Sequence, residues 1–253
     1  MPKLNLRRIF PAVRRLPRWA KILLGVGMVA VLGLCGYGLI FLYSQTQSDS
    51  NRYIHRWFDD PTSRPDLITV QRETCPGAPF LLPSDGFIGL LWRDPAAPYN
   101  VLRRHTGVDI FGNGDPGEVP VYAAYDGYLT RMDDWVSSVI IQHRDPFDPE
   151  RFIWTYYTHM ASSGGDSFIV EAFPPGTTHQ WVEQGTLLGY QGEYTGNSPI
   201  PIGMHLHFSI VTSEDDGSFK NEADIDNTLD PSPYLGLSLN IAMSPARPIR
   251  CES

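Results

Sequence analysis

Two histidines stand two residues apart in GMHLHFSI, residues 203–210, inside an otherwise apolar run. Along a β-strand successive side chains point to opposite faces, so His205, His207 and Ser209 share one face and Leu206, Phe208 and Ile210 the other. An apolar face that anchors a strand while two imidazoles gather on its other side is the arrangement a metal site or an acid–base pair requires. Upstream, HTGVDI (105–110) adds His105 and Asp109, four positions apart. Fully extended backbone would separate such a pair by about 13 Å, whereas two donors on one zinc lie no more than about 4 Å apart. If both serve one ion the chain must bend between them, and Gly107 is the residue that permits it. A helix would also align positions four apart, but Gly107, Val108 and the β-rich flanks disfavour one. His159 closes FIWTYYTHM, where alternation groups it with Ile153, Thr155 and Tyr157, opposite Phe152, Trp154, Tyr156 and Met160. His55, His143 and His179 fall in no such pattern and are read as having no chemical role.

The elements that must position these residues are strands. VPVYAAYDGYLTRM, VSSVIIQH, RFIWTYYTHM, GTLLGYQGEY and MHLHFSIVTS are rich in Val, Ile, Tyr, Phe or Trp and are bounded by Gly, Pro, Asp or Asn. Five or more strands at hairpin spacing imply a mainly β fold, an antiparallel sheet or sandwich. Residues 112–118 (GNGDPGE) read as a surface turn, and the GYQGEYTGN segment as another; neither has the strand-to-helix setting of a nucleotide site. Residues 44–76, interrupted by Pro61, Pro65 and Pro76, read as a tether with one short helix around Tyr53 to Phe58.

Charge divides the chain. Of its 20 Lys and Arg, seven lie in the first 21 residues, where no acid occurs, leaving 13 bases against 28 acids in the remainder. So acidic a body is unsuited to nucleic acid, whose binding draws on phosphate neutralisation. Between the two regimes, ILLGVGMVAVLGLCGYGLIFLY (22–43) contains no charged residue. As a helix it would extend about 33 Å, enough to cross a hydrocarbon core of about 30 Å. A cleaved signal is the competing reading, but the run is long and YSQTQSDS offers no convincing small-x-small site. The leading positive charges would hold the N-terminus in the cytoplasm and place the acidic body outside. The expected organisation is a basic cytoplasmic tail over 1–21, an anchor over 22–43, a tether over 44–76, a functional domain over 77–240 and a C-terminal tail over 241–253. Cys35 lies in the apolar run, while Cys75 and Cys251 flank the exported body and could form a disulfide or remain free thiols.

The ordered set HTGVD, YTHM and MHLHF, with PSDG (83–86) before it and DPSPYL (230–235) after it, resembles the lysostaphin/LytM-type zinc endopeptidases, which cut peptide bridges of bacterial cell walls. The resemblance spans roughly residues 83–235. It implies a lysostaphin-like (duplicated hybrid motif) fold, one zinc ion per chain held by His105, Asp109 and His207, and an open fourth position for water. It further implies that His159 and His205 are the two non-ligand histidines that act on that water. His205 is then assigned as base and His159 as the stabilising or acid group, a division the motifs leave open. The implied protein is a single-pass enzyme of the bacterial cytoplasmic membrane, its catalytic domain extracytoplasmic and its substrate the peptide of peptidoglycan. Two alternatives stand beside it: a non-catalytic wall-binding regulator of partner hydrolases, and a zinc peptidase with a non-wall substrate.

Three features depart from the family pattern. Residues 196–204 (GNSPIPIGM) form a longer, Pro-rich approach to HLH, and Ser209 stands where a glutamate commonly follows HLHF. Residues 171–181 (EAFPPGTTHQW) are an insertion expected, with the others, to reshape the groove.

Overall fold

The computed structural model describes residues 17–71, 73–196 and 202–251, so most of the basic tail and residues 197–201 of the Pro-rich approach to HLH lie outside the described residues. The chain divides into two compact units, Met1–Ser44 and Gln45–Ser253. In the first, helix α1 (Arg18–Gln45) is apolar all round, with Leu23 62%, Leu34 73% and Leu39 68% exposed. Among the described residues one helix, Arg18–Ser44, is long and apolar enough to cross a membrane, a property that a span shares with an N-terminal signal.

The second unit is built from strands β1 (Ile68–Thr69), β2 (Gly86–Ile88), β3 (Val108–Phe111), β4 (Pro120–Tyr122), β5 (Gly127–Thr130), β6 (Val139–Asp145), β7 (Asp148–Thr158), β8 (Gln180–Val182), β9 (Leu187–Tyr190), β10 (Leu206–Thr212) and β11 (Thr228–Leu229). Nine of them form one sheet in the order β1-β2-β3-β10-β7-β6-β5-β8, with β11 also on β10; β4 and β9 form a separate pair. Every pairing is antiparallel. The mainly β, antiparallel architecture expected from the strand-like runs is therefore the one observed.

Strand β10 lies at the centre, between β3 and β7. Its apolar face, Leu206, Phe208 and Ile210, is fully buried in a core shared with Val108, Ile110 and Tyr157. Burying each such side chain contributes roughly 1.5–3 kcal/mol, which holds the opposite face, with its histidines, in fixed register. In that register His207 is the cross-strand neighbour of Asp109 on one side and of Thr158 on the other.

The segments flanking the sheet are more ordered than the sequence suggests. Residues 44–76 are not an extended tether: helix α2 (Ser50–Asp59) packs Trp57, 2% exposed, against Phe87 at a ring distance of 5.3 Å. Ser50 Oγ donates to Asp94 Oδ2, Leu67 is buried, and β1 joins the sheet edge on β2. The short helix expected around Tyr53 to Phe58 is this one, and its apolar stripe, Tyr53, Ile54 and Trp57, is one helical face that docks it on the sheet. The C-terminal segment is likewise packed. Ile249 is buried, its carbonyl accepts from Thr69 Oγ1, and Cys251 is bonded to Cys75 in a disulfide that ties the C-terminal segment to the stretch between β1 and β2. The compact unit thus begins at Gln45 and takes in the residues beyond 240 that had been expected to form a tail.

Candidate metal centre

His105, Asp109 and His207 converge. His105 Nε2 is 3.0 Å from Asp109 Oδ1 and 3.0 Å from His207 Nδ1, and His207 Nδ1 is 2.9 Å from the same carboxylate oxygen. All three residues are buried. Zinc bonds of about 2.0–2.1 Å at tetrahedral angles set donors about 3.3 Å apart, so the triangle matches one face of such a site.

The outer sides of the two rings decide what occupies the inner sides. His105 Nδ1 lies 3.0 Å from the carbonyl oxygen of Leu91, which can only accept, so the ring proton is on Nδ1 and Nε2 presents a lone pair. His207 Nε2 lies 2.9 Å from Glu222 Oε1, a carboxylate that in turn accepts from Thr106 Oγ1, so Nε2 carries a proton and in the neutral ring Nδ1 is the bare nitrogen. With both rings neutral, two lone pairs and a carboxylate oxygen face one another with no proton of their own between them. That arrangement repels itself unless a positive charge sits at its centre. Without an ion a proton on His207 supplies that charge: burial opposes it, but the Glu222 and Asp109 carboxylates overrule burial and hold the His207 pKa well above the usual imidazole range. Burial likewise opposes the Asp109 anion, yet the surrounding imidazoles of His105 and His205 hold its carboxyl well below the ordinary value. The donor set, two nitrogens and one carboxylate oxygen, fits zinc with a coordination position left over.

Two further imidazoles stand beside the triangle. His205 donates from Nδ1 to the Gly203 carbonyl at 2.7 Å and brings Nε2 to 3.8 Å from Asp109 Oδ1. Its ring stacks on Phe111 at 4.9 Å, and Phe111 is met edge-on by Phe58 of α2. His159 donates from Nδ1 to the Tyr194 carbonyl at 2.6 Å, with its ring 4.6 Å from that of His205. Both therefore present a bare Nε2. Burial lowers the pKa of both, that of His159 to about 3 with help from the neighbouring imidazoles of His205 and His207. A cavity of about 520 Å³ opens over His207 and His159, walled by Tyr99, Arg103, Arg104, Trp135, Tyr156, Thr158, Tyr194 and Glu222.

Two details differ from the sequence reading in their physical cause. Alternation groups His159 with Tyr157, yet Tyr157 is fully buried in the core while His159 lines the cavity beside Tyr156 and Thr158. Strand β7 ends at Thr158, and His159 takes a left-handed φ of 75° that turns its ring out of the strand's alternation. The chain does bend at Gly107, but without a left-handed φ. What requires glycine is proximity, since a Cβ there would overlap the carbonyl oxygen of Phe208 on β10.

His143 is a buried structural residue, donating to the Asp126 carbonyl at 2.7 Å and meeting Thr155 Oγ1 at 2.7 Å. His179 stacks on Tyr128 at 4.1 Å on the far strand pair β5–β8, and residues 171–181 do not line the cavity they were expected to reshape. His55 is on an exposed face of α2. Glu222 went unnoticed in the sequence because it follows no motif, lying in a loop after β10.

Residues 103–221, which hold all five site residues and stop one short of Glu222, match the family model described as Peptidase family M23. Among solved structures the chain is similar to lysostaphin from Staphylococcus simulans, at 22% identity and a TM-score of 0.32 over 52% of this chain and 43% of that one. It is also similar to the catalytic domain of the prophage-encoded M23 protein EnpA from Enterococcus faecalis, at 23% identity and a TM-score of 0.30 over 48% and 78%. A zinc-containing peptidase from Vibrio cholerae aligns at 20% identity and a TM-score of 0.32 over 64% and 36%. The chain spans less than half the length of lysostaphin, 43%. No curated protein matches it in sequence.

Proposed function

We propose that the protein, whose residues 103–221 match the model of peptidase family M23, is a membrane-anchored zinc metalloendopeptidase that hydrolyses peptide cross-links of bacterial peptidoglycan. The observation that carries this reading is the triangle of bare donors on His105, Asp109 and His207 with two spare imidazoles leaning over it. Zinc bound there would polarise a peptide carbonyl and bring the pKa of a water to near 7. His205 and His159 each enter the reaction through a bare Nε2, so each is first a proton acceptor and becomes a donor only after taking a proton. His205, nearer Asp109, is assigned as the base that accepts the proton of the attacking water. Once Nε2 of His159 has accepted a proton during the reaction, burial disfavours the imidazolium so formed, and in that form the ring suits protonation of the leaving amine or donation to the developing oxyanion. Arg103 and Arg104 on the cavity wall suit a peptide that carries carboxylates. The apolar α1 and the basic residues before it support an anchor with the N-terminus in the cytoplasm and the groove on the wall side.

The test is to incubate the zinc-loaded full chain, in detergent, with purified peptidoglycan and to identify released fragments by mass spectrometry, with chelator and His205→Ala as controls. New amino ends that both controls abolish are the expected result. Saturable wall binding without cleavage would assign the chain to non-catalytic regulators, and cleavage confined to other peptides would remove the wall as substrate.

A further inference from the structure

Each histidine around the triangle is oriented through its outer nitrogen. For His105, His159 and His205 the partner is a backbone carbonyl, of Leu91, Tyr194 and Gly203 respectively. His207 alone is held by a side chain, Glu222, 15 residues further along and 2.9 Å from Nε2. Glu222 is itself fixed by Thr106 Oγ1 at 2.5 Å, so the bond ties β10 to the His105–Asp109 segment from outside. No carboxylate of β10 could do this. Ser209, two positions on and on the same face as His207, is fully buried, and its Oγ has no hydrogen-bond partner among the described residues.

We propose that Glu222 is a positioning residue of the metal centre: its carboxylate fixes the proton of His207 on Nε2, keeps Nδ1 free to bind zinc, and so sets the zinc affinity of the site. This rests on the metal reading of the triangle but not on the peptidase reading. A carboxylate behind a ligand imidazole raises the ligand's basicity and locks its tautomer, and losing such a partner typically lowers metal affinity by about 10–100-fold. With Glu222 gone, the proton of neutral His207 is free to move to Nδ1, which removes one corner of the triangle.

The experiment measures zinc affinity of the full chain in detergent by competition with a chromophoric chelator, for the unaltered protein, Glu222→Ala and Glu222→Gln, with thermal melting of each in excess chelator. Glu222→Ala is expected to bind zinc about 10–100-fold more weakly, and to regain full stoichiometry at saturating zinc. Glu222→Gln, nearly the same shape and still offering an oxygen to Nε2–H, is expected to fall between the two. Melting in chelator should move little, because the bond acts on a ring orientation rather than on the core. Equal affinities across the three proteins would overturn the proposal while leaving the metal reading intact. A loss in Glu222→Ala matched by an equal loss in Glu222→Gln, with melting lowered alike in both, would also overturn it by showing a role in folding only. An unaltered chain that binds no zinc would overturn the metal reading itself.

Discussion

Gly107→Ala adds one methyl group at the seam between the two halves of the proposed metal site. The new Cβ would come within 2.9 Å of the Phe208 carbonyl carbon and of Ser209 Cβ, and would overlap the Phe208 carbonyl oxygen outright. Carbon contacts are comfortable at about 3.5–4.0 Å, so β3 and β10 must part by about 1 Å to clear both atoms. The donors ride on those strands. Asp109 and His207 are cross-strand neighbours, and their facing atoms are 2.9 Å apart. Opening the seam takes that gap to about 4 Å, the outer limit for two donors that each bind one ion at about 2 Å. Overpacking of this kind costs about 1–3 kcal/mol. If zinc must draw the strands together against the same strain, affinity falls by about 5- to 150-fold, at about 1.4 kcal/mol per factor of ten. Chelator competition reads the affinity, and urea melts in excess chelator read the stability. A Gly107→Ala protein with the parent's melting curve and zinc affinity would refute the close-approach argument.

His159→Ala should keep its zinc and lose about 10²–10⁴-fold in turnover, the usual worth of a positioned acid or base; full turnover would remove His159 from the chemistry. His143 gives a pH dependence of stability. Burial lowers its pKa from 6.5 to about 4, so below pH 6.5 the unfolded chain binds the extra proton first and stability falls as pH drops, the loss being complete near pH 4. The change across that window is about 3 kcal/mol at about 1.4 kcal/mol per unit, and His143→Gln should flatten the urea-melt profile by that amount relative to the parent. Replacing Cys75 with Ser opens a covalent loop with a sequence separation of 176 and is expected to cost about 2–5 kcal/mol of stability. A matching loss in the parent under reducing conditions would confirm that it is the bond and not the residue.

The centre of the sheet was legible in the sequence because strand alternation is a rigid rule. Leu206, Phe208 and Ile210 lie in the core, and His205 and His207 lie opposite, as period two demands. The rule fails one residue past a strand end, which is why His159 sits on the other side from Tyr157. Gly107 shows a different limit: a glycine in sequence announces an unusual need, but whether the need is a torsion or a close approach depends on what the fold brings opposite. Trp57 and Ile249 bury themselves against partners tens to hundreds of residues away, so the short helix around Tyr53 to Phe58 was legible but its docking on the sheet, and that of the C-terminal segment, was not. Glu222 is illegible for the same reason, arriving from a loop whose course is set by β11 and the far edge of β10. The cysteine pairing, open in the sequence, closed once the fold brought residues 75 and 251 to a Cα distance of 5.4 Å.

The most direct test of the account is the zinc content of the full chain after saturation and exhaustive dialysis, measured by elemental mass spectrometry beside His207→Ala and His159→Ala. One zinc per chain in the parent and in His159→Ala, with none retained by His207→Ala, is the predicted result. A parent that holds no zinc, or a His207→Ala protein that holds it as firmly as the parent, would contradict the claim that His105, Asp109 and His207 form a single metal site.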